Sequence, residues 1–414
     1  MKRIFLSIIF LFVVVSMAHA ASYYADNSGS PACSDALSYG TEAKPWCTLS
    51  YAIARISGGD DLYVKSGIYA ETSLYISGPS GTSGKNTTIQ TYPGDTVTIQ
   101  GSGYNSGRVK ITGSSYMTFS GFKVTKFNQG IYVENSHHIT LQNCVVYDMG
   151  QEAIHVNANS DYITIENCTI HDTGKNGANG EGIYIGTGSA GPLDNTNNVI
   201  IKNNTIYSTT DEGIELKSGT YDCIVDGNTL HDINIVSSVG VIEVNEALLG
   251  VQHWDSNPNH IIRNNIIHDV NTAMRAGTGG IYYNNLIYRV NNYGIRVNNN
   301  ASDSYTRKIY HNTLDVQNAN AIYVVSGITD IQNNIGPSAN NNLATSDSFY
   351  EDKSAGNYHL VIGSTPINAG IDLISVVPVD IEGTNRLTGD APDLGAYEYA
   401  STPVPSPPQN LIVQ

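Results

Sequence analysis

Apolar and polar residues alternate in short stretches that recur along most of the chain. The stretch at residues 139–148 (ITLQNCVVYD) returns with the same pattern at residues 163–172 and 199–208. Alternation with a period of two residues is typical of a strand with one buried face, and these stretches do not follow helical spacing. The pattern predicts many short strands, each of which buries every second side chain.

The recurring stretch returns at a period that identifies a repeat architecture. Its bend position falls at residues 144, 168, 204, 228, 265, 285, 312 and 334. A period of roughly two dozen residues is the signature of a solenoid. From Asn204 onward the bend residue is Asn, which tolerates left-handed backbone angles and can bond to the equivalent amide one rung away. The sequence therefore predicts an all-β parallel β-helix, a solenoid whose rungs stack at ~4.8 Å.

A second strand follows each bend and presents a column of outward side chains. Its pattern is a small residue, Ile, a variable residue and an apolar residue, as in residues 130–133 and 213–216. Because strand side chains alternate, Ile points inward and the variable residue points outward. Longer spacings locate insertions at residues 186–198 and 245–260, and loops on a rigid scaffold often wall a cleft.

The two ends of the chain differ in composition from the repeats. Residues 1–20 carry Lys2 and Arg3, then an apolar run, then Ala18-His19-Ala20, a combination typical of a cleaved signal peptide. That run is too short for a membrane span, and no later segment approaches the ~20 apolar residues a span requires. We predict a secreted monomer, extracellular or periplasmic, with a signal peptide at 1–20, an N-terminal cap at 21–56, a parallel β-helix with its closing segment at 57–400, and a Pro-rich linker or tail at 401–414.

The net charge of the chain restricts the classes of molecule that it is expected to bind. The formal net charge is −16, which argues against a nucleic-acid partner because phosphate binding needs clustered Lys and Arg. An anionic polymer would need a local basic patch or a bridging cation on such a surface.

The five cysteines after residue 20 fall into three groups. In an exported protein, Cys33 and Cys47 are expected to form a disulfide in the cap. Cys144 and Cys168 occupy equivalent places in successive repeats, where a cross-rung bridge and two small buried side chains are both compatible with the pattern. Cys223 stands where other repeats have Ile or Val, so we interpret it as a core residue.

Three outward columns collect the polar side chains. The first outward position reads Tyr132, His155, Tyr184, Glu215, Glu243, Arg275, Arg296 and Tyr323, the position two residues later includes Asn157, Lys217 and Asn245, and the position before the small residue reads Gln129, Glu152, Glu181 and Glu212. Carboxylates in stacked rungs would lie ~5–8 Å apart and raise one another's pKa unless a cation or a shared proton intervenes.

One interpretation of these columns is a metal-assisted active site. Glu181, Glu212 and Glu215 would gather Ca²⁺ or another hard cation, and Lys217, with a lowered pKa, would remove the proton beside a uronate carboxylate held by that cation. We expect Arg275 and Arg296 to grip sugar carboxylates, Tyr184 to support a sugar ring, His155 to serve as an alternative acid or base, and Glu243, Asn157 and Asn245 to contact substrate. The plainer interpretation is a solvated surface, with Glu243 and Arg275 as an ordinary cross-strand ion pair.

Particular segments resemble a known group of proteins. Residues 23–29, 44–52 and 59–71 resemble the cap of polysaccharide lyases in the pectate-lyase-like superfamily of secreted right-handed β-helices, and the resemblance extends over residues 21–399. Residues 212–218 (EGIELKS) are similar to the segment where chondroitinase B and alginate lyases place calcium-binding glutamates before a lysine base. The resemblance implies calcium ligation by Glu212 or Glu215 and a base at Lys217.

The match departs from those lyases in two places. They keep more residues between the second glutamate and the lysine, and they carry an arginine in the next rung, where this chain has Glu243 and Asn245. Arg275 comes one rung later.

These observations leave several functions open. The first is a lyase that cleaves an extracellular, uronate-containing polysaccharide by β-elimination. A glycoside hydrolase would instead use Glu212 or Glu215 together with Glu243. A uronan epimerase and a non-catalytic carbohydrate-binding or surface protein are the remaining alternatives.

Overall fold

The computed structural model of the chain describes residues 20–187, 194–233, 240–244, 258–298, 304–316, 320–336 and 341–400. The predicted signal peptide before residue 20, the candidate residue Asn245 and the predicted tail at 401–414 lie outside the described residues, as do parts of both predicted insertions. Among the described residues, no helix has the length and apolar character needed to cross a membrane.

The strands form three parallel stacks, which we call sheets A, B and C. Sheet A has twelve strands: Ser22–Ala25, Asp61–Val64, Thr87–Thr91, Ser115–Ser120, His137–Gln142, Asp161–Glu166, Ile200–Lys202, Ile224–Asp226, His260–Arg263, Gly280–Tyr283, Arg307–Tyr310 and Thr329–Gln332. Every strand pairs in parallel with the strand one rung away, so the predicted parallel β-helix is confirmed.

Sheets B and C begin as separate stacks and merge through two long strands, Ile266–Ala276 and Leu286–Val297, which run through both. The other strands of sheet B are Gly67–Ala70, Val97–Gln100, Lys123–Thr125, Val145–Tyr147, Thr169–His171, Thr205–Tyr207, Thr229–His231 and Thr313–Val316. The other strands of sheet C are Leu74–Ile76, Val109–Thr112, Ile131–Glu134, Ile154–Asn157, Ile183–Ile185, Ile214–Leu216, Ile242–Val244 and Ile322–Val324.

Short elements close the two ends. One α-helix, Leu49–Ile53, lies in the predicted cap, where the first strand of sheet A, Ser22–Ala25, already pairs with Asp61–Val64. Near the C-terminus, the 3-10 helices Asp347–Phe349 and Lys353–Ala355 accompany an antiparallel pair, Tyr350–Asp352 and Asn357–Leu360. The solenoid therefore starts inside the region that the sequence assigned to the cap.

The cysteines follow the predicted pattern. Cys33 and Cys47 form the expected disulfide. Cys144, Cys168 and Cys223 are buried free thiols within the core, which agrees with the interpretation of Cys223 as a core residue. The cross-rung bridge between Cys144 and Cys168 is not formed in this structure.

Two columns of side chains fix the register of the rungs, one buried at the bends and one on the outer face of sheet B. The bend asparagines are buried, and each side-chain amide donates to the amide oxygen of the next one, at 2.9–3.0 Å from Asn204 through Asn228, Asn265, Asn285 and Asn312 to Asn334. The predicted aromatic column in sheet B also stacks, with successive ring centroids 4.8–5.3 Å apart for Tyr147, His171, Tyr207, His231, His268 and Tyr288. These columns hold equivalent residues of neighbouring rungs in contact.

Replacing Asn265 with Ala should lower the free energy of unfolding by ~3 kcal/mol, because buried partners then lose their hydrogen bonds. Asn265 donates to Val225 O and to Asn285 Oδ1, and it accepts from Asn228. Chemical denaturation measures the effect. The control is Asn291→Ala at an exposed position, and equal destabilisation by both substitutions would contradict the structural role of the column.

Candidate functional site

The outward column predicted for sheet C is a continuous column in the structure. Parallel register places the following residues directly beside one another in turn: Tyr132, His155, Tyr184, Glu215, Glu243, Arg275, Arg296 and Tyr323. Since each rung adds one strand spacing of ~4.8 Å, residues far apart in sequence share one face.

Three glutamates form a compact cluster at the middle of this face. One carboxylate oxygen from each of Glu181, Glu212 and Glu215 lies within 4.8 Å of the other two. All three residues are buried, with 4%, 7% and 2% of their surface exposed. We call these residues the glutamate cluster. The repeat brings them together because Glu181 and Glu212 each lie two residues before a strand of sheet C, and Glu215 is the outward residue of the strand Ile214–Leu216.

Burial controls the protonation of the glutamate cluster. Burial, reinforced by the charge of Glu215, raises the pKa of Glu212 to about 10. Burial likewise raises the pKa of Glu181 to about 8. Carboxylates packed so closely ionise together only when positive charge compensates them. Shared protons or a cation must therefore accompany the cluster near neutral pH.

The donor set of the glutamate cluster fits a hard cation. Glu181 Oε2 is buried and has no hydrogen-bond partner among the described residues, although buried carboxylate oxygens normally have one. Oxygen ligands from several carboxylates are what Ca²⁺ prefers. The cluster therefore offers three carboxylate ligands, and the other ligands that Ca²⁺ requires would come from substrate and water.

Lys217 lies against the glutamate cluster. Its ammonium group contacts Glu215 Oε1 and lies 4.7 Å from the centre of the Tyr184 ring. Burial acts to lower the pKa of Lys217, but the carboxylates of Glu215, Glu212 and Glu181 outweigh it and raise that pKa. The expectation of a lowered lysine pKa is therefore wrong for the cluster without a cation, because the same carboxylates that suit a metal also hold the lysine proton.

Glu243 and Arg275 form an ion pair in the rungs after the cluster. Arg275 Nη1 donates to Glu243 Oε1 at 2.5 Å, and the amide of Gly240 donates to Glu243 Oε2 at 3.1 Å. Glu243 is 3% exposed, so this pair is more deeply buried than an ordinary surface ion pair. Arg296 is the next outward residue in the column.

The other side of the cluster is an aromatic wall. His155 lies between Tyr132 and Tyr184, with ring centres 4.7 Å and 4.4 Å away. Its Nε2 is 2.9 Å from the carbonyl oxygen of Gly186 and so carries the proton, and burial lowers the pKa of the ring. Asn157 donates to the Tyr132 hydroxyl at 2.7 Å. His155 and Asn157 are thus held inside the wall of the site.

Comparison with known proteins identifies the scaffold. Residues 30–226 match the family model described as "Pel9A-like, right handed beta helix region". The chain is similar to the crystal structure of pectate lyase Pel9A, with a TM-score of 0.64 and 18% identity over 93% of this chain and 98% of that one. This chain is a right-handed parallel β-helix. The resemblance predicted from the sequence is confirmed at the level of fold.

Two further solved structures have a similar fold. An alginate lyase from Paenibacillus sp. str. FPU-7 matches with a TM-score of 0.57 and 21% identity over 68% of this chain and 96% of that one. A rhamnogalacturonan lyase matches with a TM-score of 0.57 and 16% identity over 80% of this chain and 91% of that one. No curated protein sequence matches this chain. At such low sequence identities, structural similarity shows the fold alone. Function has to be argued from the residues of the site.

Within this β-helix, the sequence reasoning missed two basic residues, Lys110 in the sheet C strand Val109–Thr112 and Arg108 directly before that strand. The guanidinium of Arg108 lies 4.5 Å from the centre of the Tyr132 ring, and Lys110, which is paired in register with Tyr132, binds Glu134 at 2.8 Å. Residues 109–112 (VKIT) have the alternation of the strand that follows them in sheet C, and that signal was available. The site face therefore carries cations at both ends of the aromatic and acidic stretch.

Proposed function

We propose that this protein is a secreted polysaccharide lyase that cleaves a uronate-containing polymer by β-elimination. The observation that carries the proposal is the glutamate cluster, three buried carboxylates within 4.8 Å of one another, with Lys217 against it. A buried acidic cluster beside a lysine supports an active site, because perturbed protonation is concentrated where catalysis needs it. The similar solved structures are a pectate lyase, an alginate lyase and a rhamnogalacturonan lyase, which supports the same class of substrate.

The residues of the chain have separate roles in this proposal. When bound, Ca²⁺ in the glutamate cluster would hold the uronate carboxylate and acidify the adjacent C–H bond. Lys217, relieved of the field of three uncompensated carboxylates, accepts that proton as the general base. The electron pair of the broken C–H bond forms the new C=C bond as the C–O bond to the leaving sugar breaks, and the leaving oxygen takes a proton from water to become a hydroxyl group.

The flanking residues position the polymer. Tyr184 lies between His155 and Glu215 in the outward column, and its buried ring packs against His155 and the Lys217 ammonium, so it positions the lysine and does not offer a free face to a sugar. Arg275 and Arg296 place positive charge after the cluster, where further sugar carboxylates of the polymer would lie. Arg275 is already paired with Glu243, so its contribution to substrate binding is shared with that carboxylate.

The hydrolase alternative has less support from the geometry. It requires Glu243 as one of two catalytic carboxylates, and Glu243 is held by Arg275 and by the amide of Gly240. An epimerase would begin with the same proton removal as a lyase, so products decide between them.

Product analysis of the purified protein tests the proposal. Pectate, alginate and glycosaminoglycans are incubated separately, with added Ca²⁺ or with a chelator. We expect at least one uronate polymer to yield an unsaturated, ultraviolet-absorbing product, and we expect chelation to stop the reaction until Ca²⁺ is restored. Saturated reducing ends would establish a hydrolase, an unchanged chain length with altered uronate composition would establish an epimerase, and chelator-resistant elimination would refute the cation site.

A further inference from the structure

A second groove runs along the outer face of sheet A, on a different sheet from the glutamate cluster. It has a volume of about 330 Å³, within the range of small-ligand sites. Eight residues line it: Asn86, Tyr116, His138, Thr140, Tyr162, Thr164, Asn198 and Ile200. We call it the sheet A groove.

A stack of three rings forms the wall of the sheet A groove. Tyr116 and His138 stack with ring centres 4.4 Å apart, and His138 and Tyr162 stack at 4.7 Å, with interplanar angles of 21° and 22°. Asn86 and Asn198 hold the equivalent positions in the rungs before and after the rings. The wall therefore spans five rungs, or ~19 Å at the strand spacing, and ends in an amide on each side.

The backbone beneath these rings adopts a conformation that their side chains disfavour. Tyr116, His138 and Tyr162 have φ values of 48°, 56° and 52°, in the left-handed region that suits Gly, Asn and Asp. The following rungs use Asn198, Asp222 and Asn259 at this position, also with positive φ. Three rungs therefore have an aromatic residue at a position where the following rungs have Asn or Asp. The fold does not require an aromatic residue there.

Burial of apolar surface does not explain why aromatic residues occupy these three positions. Tyr162 is 51% exposed, so a large part of its ring lies at the surface at the end of the stack. Strained backbone conformations persist at sites where the side chain has a function, and exposed aromatic rings are typical of recognition surfaces. A bound ligand accounts for the three rings better than stability does.

We propose that the sheet A groove binds a neutral oligosaccharide segment, as a site separate from the one that would act on uronates. None of the eight lining residues is Lys, Arg, Asp or Glu, and a chain with a net charge of −16 repels a polyanion that finds no cation. Thr140 and Thr164 add hydroxyl groups to the lining, Asn86 and Asn198 add amide groups at the two ends, and the rings and Ile200 add apolar surface. This mixture of hydroxyl, amide and ring matches the alternating O–H and C–H surface of an uncharged sugar.

Calorimetry with defined sugars tests the sheet A groove. The probes are hexasaccharides derived from xylan, cellulose, β-galactan and mannan, with a hexasaccharide of polygalacturonate as the charged comparison. We expect at least one neutral hexasaccharide to bind. Tyr162→Asn should weaken that binding by about ten-fold or more, a change of about 1.4 kcal/mol, without lowering the Tm, because Asn suits the left-handed backbone.

Three further variants test whether the sugar binds in the sheet A groove itself. Thr164→Val removes a hydroxyl without changing the size of the side chain and should also weaken binding. Asp222→Asn changes the same column position two rungs beyond Tyr162, outside the groove, and should leave binding unchanged. Lys217→Ala should bind the neutral hexasaccharide as the unaltered protein does, whatever its effect on uronates.

Two results would overturn the proposal, and a third would assign the binding to another site. Absence of binding by all four neutral hexasaccharides would overturn the proposal, as would binding that survives both Tyr162→Asn and Thr164→Val. Loss of neutral-sugar binding in Lys217→Ala would assign that binding to the sheet C site instead. Failure of the uronate assay leaves this result intact, because the groove and the glutamate cluster share no residue.

Discussion

Lys217→Ala should lower kcat for elimination by about 10²–10⁴-fold, the usual contribution of a general base. Lys217 lies against the glutamate cluster and beside Tyr184, where the acidified C–H bond of a bound uronate would lie. The measurement is the initial rate of ultraviolet-absorbing product at saturating substrate and Ca²⁺. Removal of Lys217 also takes a positive charge from Glu215, so thermal unfolding is recorded in the same buffer to separate lost activity from lost folding.

Lys217→Arg distinguishes a base from a simple counter-charge. Arg keeps the positive charge beside Glu215 but does not release its proton in proteins. A base at this position therefore predicts that Lys217→Arg is as inactive as Lys217→Ala. Lys202→Ala provides the matched control, because Lys202 pairs with Glu166 on sheet A and should retain full activity. Substantial activity in Lys217→Arg would refute the role of Lys217 as the base.

The assembly of the glutamate cluster was predictable from sequence because a solenoid converts repeat offsets into distances. Glu212 and Glu215 occupy fixed positions relative to the buried Ile214, and Glu181 occupies the position of Glu212 one rung earlier. Once the register was assigned, the shared face followed from strand geometry alone. The same reasoning placed Tyr184 and Arg275 in one column.

Charge compensation within the site was not predictable from the pattern. The direction of the Lys217 pKa shift depends on the balance between burial and three nearby carboxylates. The close contact of Arg275 with Glu243 depends on side-chain conformation in a buried setting. A repeat alignment shows which residues are neighbours in the stacked rungs. It does not show side-chain conformations or how deeply each side chain is buried.

The sheet A groove escaped the sequence reasoning for a related reason. Tyr116, His138 and Tyr162 are each the second residue of a sheet A strand, where a left-handed backbone interrupts the alternation of strand residues. Their shared left-handed backbone becomes visible only in the structure. Aligning the rungs on Asn198 and Asp222 would have revealed aromatic residues at an Asn and Asp position.

Glu212→Gln should stabilise the protein in a chelator and destabilise it relative to the unaltered protein in Ca²⁺. Burial raises the pKa of Glu212 from an ordinary value near 4.5 to about 10. The folded state therefore binds a proton that the unfolded state releases above its ordinary pKa, so the contribution of Glu212 to stability is lost as pH rises from about 4.5 towards about 10. Gln mimics the protonated carboxyl and removes this loss, which we expect to increase the free energy of unfolding by ~2 kcal/mol at about pH 8.

In Ca²⁺, the unaltered protein should be more stable than Glu212→Gln, the reverse of their order in a chelator. A cation at about 100 times its Kd stabilises the folded state by ~2.7 kcal/mol, and Glu212→Gln removes one of the three carboxylate ligands. Chemical denaturation of both proteins at about pH 6 and pH 9, with chelator and with Ca²⁺, gives the four comparisons. Glu166→Gln on sheet A should show no such reversal, because Glu166 pairs with Lys202 away from the cluster. If Ca²⁺ stabilised the unaltered protein and Glu212→Gln equally, the ion would bind elsewhere, and the buried charge of the glutamate cluster would need another source of compensation.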